Sequence, residues 1–124
     1  MHELVKSMFT GKWKSFKIFK RSGDVRLSNR QRFQQFEFDS AEKLTISNYE
    51  NAEVTDTATA DAWSVEFKGK RHYMHIPPLK ITYEVITVNH TVMVLADTVT
   101  GEKTFFARDH NWEAYLKANE KIVL

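Results

Sequence analysis

The sequence predicts an all-β protein, an antiparallel up-and-down barrel of eight or nine strands with a short N-terminal helix and a C-terminal helix. Three observations carry this expectation. Period-2 alternation recurs, as in Trp63-Ser64-Val65-Glu66-Phe67 and Ile81-Thr82-Tyr83-Glu84-Val85, setting large apolar groups on one side and polar groups on the other. Turn-forming residues punctuate these segments at the rhythm of roughly 8–12 residues that sandwiches and barrels show. Nine Phe, four Tyr and three Trp against four Gly and two Pro in 124 residues suit a barrel filled by bulky inward side chains.

The elements follow in order. Residues 2–9 read as a short amphipathic helix, with Leu4, Val5, Met8 and Phe9 at helical spacings, broken by Thr10-Gly11. The first strand spans 12–20 and ends at the turn Arg21-Ser22-Gly23-Asp24. Residues 25–30 are polar and read as a loop. Further strands are expected near 32–38, 43–49, 53–59, 62–68, 71–76, 80–88, 91–96 and 103–108. Alternation points Phe36, Phe38, Leu44, Ile46, Trp63, Val65, Phe67, Met74, Ile76, Tyr83, Val85, Val92 and Val94 inward. Pro77-Pro78 must interrupt the ladder, because proline supplies no donor. Segment 109–121 changes period: Trp112, Tyr115 and Leu116 share a helical face, with Asp109 as a candidate N-cap. Strands 80–88 and 91–96 carry apolar residues on both faces (Ile86, Val88, Met93, Leu95), so this helix is expected to cover their outer side. With no repeat or linker, residues 1–124 form one domain.

Two features at the ends of the strand series carry a resemblance. Gly11-Lys12-Trp13 opens the first strand, and Arg108 stands late in the last. This pattern resembles the lipocalins and their calycin relatives, in particular the small lipocalin-like domain proteins, and the likeness covers nearly the whole chain. The resemblance implies that Gly11 lets the chain turn tightly into the barrel base, that Trp13 plugs that base, and that Arg108 packs across the indole to join first and last strands. It also implies binding of a small hydrophobic molecule. The chain is shorter than the secreted lipocalins, which implies a small cavity, and it lacks their disulfide.

Other chemistries find little footing. Without cysteine there is no disulfide framework, thiolate metal site or cysteine nucleophile. No stretch of about 18 apolar residues is present, so no membrane span is expected, and the N-terminal residues show no cleavable apolar run; a cytoplasmic location is the expectation. Net charge is +2 but uneven: residues 1–36 hold nine Lys/Arg against two acidic residues, and residues 37–124 hold nine against fourteen. Folding brings the two parts together, so no nucleic-acid partner is expected. His72-x-x-His75 lies on a strand, where residues three apart face opposite sides and cannot chelate one ion. Serine-nucleophile, phosphate-loop and dinucleotide motifs are absent. No cofactor or metal is expected.

The candidate site is therefore a binding pocket lined by Phe36, Phe38, Trp63, Phe67, Met74 and Tyr83, with Gly11, Trp13 and Arg108 closing the barrel. Arg71-His72-Tyr73 has the Arg-x-Tyr spacing with which fatty-acid-binding barrels grip a carboxylate, an anion anchor if both side chains face inward. The expected function is non-catalytic binding of a small hydrophobic or amphipathic ligand by a monomer or homodimer. The alternative is a packed barrel acting as a protein-interaction module, and the third is an enzyme without a recognisable motif.

Overall fold

A computed structural model describes residues 5–40 and 42–122. The expected N-terminal helix is a single 3-10 turn, Lys6–Met8; residues 2–4 of its span lie outside the described residues. Strands follow at β1 (Gly11–Phe19), β2 (Val25–Leu27), β3 (Phe33–Phe38), β4 (Leu44–Glu50), β5 (Glu53–Ala60), β6 (Ser64–Lys68), β7 (Arg71–Ile76), β8 (Ile81–Val88), β9 (Val92–Asp97) and β10 (Lys103–Arg108), then helix α1 (Trp112–Ile122). β2, in the span read as a loop, pairs with the end of β1 through Lys17–Leu27 and Phe19–Val25. Pro77 and Pro78 sit in a 3-10 turn between β7 and β8. Tight hairpins use left-handed residues where the strand twist demands them: Asn51 and Ala52 after β4, Gly69 and Lys70 after β6.

The ladder runs β5-β4-β3-β1-β10-β9-β8-β7-β6, every neighbour antiparallel, with β2 off this path. The expected closed barrel is corrected here, because β5 and β6 are not hydrogen-bonded to each other. The reason is parity. Alternation along nine strands leaves the two edge strands pointing the same way, so pairing them would be parallel. Parallel pairing of consecutive strands needs a crossover of about a dozen residues, whereas only residues 61–63 lie between β5 and β6. The sheet instead curls around one interior: Leu44, Ile46 and Ala60 from one end of the ladder share a core with Trp63, Met74 and Ile76 from the other.

That interior is dense with aromatic rings. Phe9 meets Phe38 and Trp63 with centroids 5.8 and 5.7 Å apart, Phe38 meets Trp63 at 4.8 Å, and Phe36 meets Phe106 at 4.8 Å. Met93 and Leu95 complete it, while Val92 and Val94, expected inside, lie on the opposite face. With apolar residues at both parities of β9, alternation alone cannot choose the inner row; a bulge between Val85 and Thr87 in β8 sets the register instead.

A second bulge, between Ser15 and Lys17, drops Phe16 out of the β1–β10 register. The Phe16 carbonyl then accepts from the Ser28 backbone N–H at 3.0 Å and from Asn119 Nδ2 at 2.6 Å, while Trp112 Nε1 donates to the Ser15 carbonyl at 2.9 Å. Helix α1 therefore seats over the bulge, burying Phe16, Ala107, Trp112 and Leu116, with Phe16 stacked on Tyr115 at 4.6 Å. The helix covers β1 and β10 rather than β8, and Ile86 on β8 stays 45% exposed. Asp109, expected as an N-cap, pairs with Lys14 Nζ at 2.8 Å; that hydrogen bond, opposed by partial burial, holds its carboxyl below the usual range.

Gly11, Trp13 and Arg108 converge as the resemblance implies. The Arg108 guanidinium lies 3.8 Å from the Trp13 ring centroid and donates to the carbonyls of Thr10 and Met8. Trp13 Nε1 donates to the Phe9 carbonyl at 2.8 Å. Gly11 has φ +121, and a Cβ there would sit 2.8 Å from Arg108 Nη1. Trp13→Ala is expected to cost about 3–5 kcal/mol in denaturant unfolding, and Gly11→Ala to destabilise by adding backbone strain to that clash. An unchanged midpoint for Trp13→Ala would remove it from this role. Trp112→Phe, which keeps an aromatic but smaller ring and loses the bond to Ser15, should cost roughly 1–3 kcal/mol in the same assay.

Candidate functional site

Along several strands the inward row changes chemistry from apolar to polar. On β3 it runs Phe38, Phe36, Gln34; on β4, Leu44, Ile46, Asn48; on β5, Ala60, Ala58, Asp56. On β9 and β10, Leu95 gives way to Asp97 and Phe106 to Thr104. Registers place these polar ends together: Gln34 opposite Asn48, Asn48 opposite Asp56, Tyr83 opposite Asp97, and Ile18 opposite Thr104. They enclose a cavity of about 510 Å³, with Arg26, Leu27 and Ser28 along one side and Arg32, Glu50 and Glu102 also in its lining. That volume lies within the range of about 300–1,000 Å³ usual for ligand pockets.

Beneath the cavity the interior is closed. Ser15, 1% exposed, accepts the Gln34 backbone N–H at 2.8 Å and shares a hydrogen bond with Ser28 at 3.1 Å. Tyr83 packs against Phe36 at 5.9 Å, joining the cavity to the aromatic core. Burial, reinforced by the Asp97 charge, pushes the Tyr83 phenol up to about 12. It is therefore a neutral hydrogen-bonding group at physiological pH. Asp97 is held by its turn, with Oδ1 accepting the backbone N–H groups of Val99 at 2.8 Å and Thr100 at 3.0 Å. Arg32 and Glu50 stand 3.9 Å apart across β3 and β4.

The residues predicted for the site divide accordingly. Phe36, Phe38, Trp63 and Met74 are 0–4% exposed, belong to one core cluster and are not in the lining of this cavity; Tyr83 is. Phe67 shares the inner parity of Val65 but is 40% exposed, its ring 4.7 Å from His72. Arg71 and Tyr73 do not form an inward anchor. Met74 and Ile76 take the inner face, so Arg71 reaches Glu84 at 3.0 Å and Tyr73 stacks with His75 on the other side. His72 and His75 face opposite sides as expected, His75 bonding Glu66 at 2.9 Å and Thr82 at 3.2 Å. Among the described residues, no group of three or more His, Cys, Asp or Glu is placed to hold a metal ion, and no helix is long and apolar enough to cross a membrane.

Sequence reasoning missed Gln34, Asn48, Asp97, Glu102 and Thr104. For Gln34 and Asn48 the available signal was their position two residues from the inward Phe36 and Ile46; for Asp97, Glu102 and Thr104 the sequence offered none. Compared with known proteins, the chain matches no family model, no curated protein and no solved structure.

Tyr83 gives this site a pH signature. Its folded value lies above the ordinary 10.0, so the unfolded chain releases the proton first as pH rises. The stabilisation is intact below about pH 10 and is lost between there and about 12. An absorbance titration should show one phenol ionising near 12, missing in Tyr83→Phe; the absence of that late-ionising phenol would contradict the placement.

Proposed function

We propose that this protein is a lipocalin-like, calycin-type binding protein that reversibly holds a small amphipathic molecule without transforming it. The observation that carries this reading is the cavity of about 510 Å³ set against a packed aromatic floor. The Gly11-x-Trp13 opening and the Arg108 stacked on Trp13 support the calycin assignment. Phe36, Phe38, Trp63 and Met74 are buried in one core cluster, so this reading places the ligand above them, touching Tyr83. Tyr83, kept protonated, serves as a hydrogen-bonding group rather than a base.

The packed core also suits a protein-interaction module, the second reading. That reading gives the polar cavity no role.

Native mass spectrometry of freshly purified protein, followed by organic extraction, separates the two. Binding predicts a co-purifying species of a few hundred daltons; returned in hundredfold excess over its dissociation constant, it should stabilise the fold by about 2.7 kcal/mol. A bare mass, with no stabilisation by any compound in a broad metabolite screen, would contradict it.

A further inference from the structure

The cavity lining narrows the ligand class further, on the reading that this cavity is the ligand site. Like Tyr49 and Thr104, four half-buried side chains in it, Gln34, Asn48, Tyr83 and Glu102, make no side-chain hydrogen bond or ion pair among the described residues. Gln34, Asn48 and Tyr83 come from three different strands, and Glu102 from the end of the β9–β10 turn. Two are amides that both donate and accept, one is a phenol, and one is a carboxylate that accepts.

Charge decides among ligands. Both signs line the cavity: Arg26 and Arg32 against Glu50, Asp56, Asp97 and Glu102. A small anion would enter beside four carboxylates; for a small cation three of those four are already engaged, Glu50 with Arg32, Asp56 with the Thr55 hydroxyl and Asp97 with the Val99 and Thr100 amides. A fatty chain would strip water from the two amides and the carboxylate and offer them nothing in return. A neutral molecule bearing several hydroxyls satisfies every wall, donating to the carboxylates and accepting from the guanidinium groups and amides. Its C–H face finds Ile18, Leu27 and the Tyr83 ring, which with Phe33 and Tyr49 supply the apolar part of the lining.

We infer that the cavity takes a neutral polyhydroxylated ligand of monosaccharide size, held by Gln34, Asn48, Tyr83 and Glu102. Binding is through hydrogen bonds, with no bond made or broken.

The test is an NMR titration of the full chain with methyl α-D-glucoside, methyl β-D-galactoside and myo-inositol, set beside phenethylammonium, phenylacetate and dodecanoate. At least one polyol should shift the amide signals of Gln34, Asn48, Tyr83 and Glu102, while the charged and fatty probes leave them in place. Asn48→Ala and Tyr83→Phe should each weaken that polyol about tenfold, the effect of one good hydrogen bond, with spectra as dispersed as the parent's. If a charged or fatty probe moves the cavity signals and the polyols do not, the ligand class falls while the cavity stands as a binding site. Polyol binding that leaves these signals unmoved, or that both variants retain in full, also overturns the assignment. If no probe shifts any cavity residue, this inference fails, while the binding reading is decided separately by the co-purification and metabolite-screen experiment.

Discussion

The stacked pair of Trp13 and Arg108 fastens the first strand to the last, and the rest of the molecule is arranged around that seam. β1 and β10 are distant in sequence yet adjacent in the ladder, so their pairing closes a loop of nearly the whole chain, an entropic cost that local contacts do not offset. A buried indole, a guanidinium over its face at 3.8 Å and hydrogen bonds into the Met8–Thr10 carbonyls concentrate attraction at that point. Gly11 is part of the same device, since any side chain there would occupy the guanidinium's place. Helix α1 reinforces the seam from outside by seating over the bulge in β1.

From this seam the sheet extends both ways and curls without closing. Nine antiparallel strands cannot form a purely antiparallel cylinder, and the short link between β5 and β6 forbids a parallel junction. What unites the two wings is the shared aromatic interior, not a continuous hydrogen-bond ladder. That interior is filled where Phe9, Trp13, Phe38 and Trp63 meet, and it opens where the inward rows turn polar. Filled floor and polar cavity thus follow from one property of the strands, the change of chemistry along their inner faces.

Strand positions were legible because each strand has a short alternating run between turn residues; observed and expected boundaries differ by a residue or two. The Trp13–Arg108 contact was legible through the family resemblance, and the outward turn of Arg71 and Tyr73 follows from Met74 and Ile76 pointing in. Three things were not legible. β2 is three residues long and pairs only with the end of β1, too short for a periodic signal. The inner row of β9 depends on a bulge in β8, which alternation in β9 cannot reveal. The cavity required knowing that Gln34, Asn48, Asp97 and Thr104 share one end, which only the cross-strand registers supply.

The dependence of the whole fold on the seam is tested most directly by native-state amide hydrogen exchange. Groups that open only on global unfolding exchange slowest. The account predicts that these are the amides of Trp13–Ser15 in β1 and of Phe106 and Ala107 in β10, with β5 and β6 exchanging earlier as the free edges of the ladder. Slowest exchange in the β6–β7 or β4–β5 hairpins, with β1 and β10 opening before them, would contradict it.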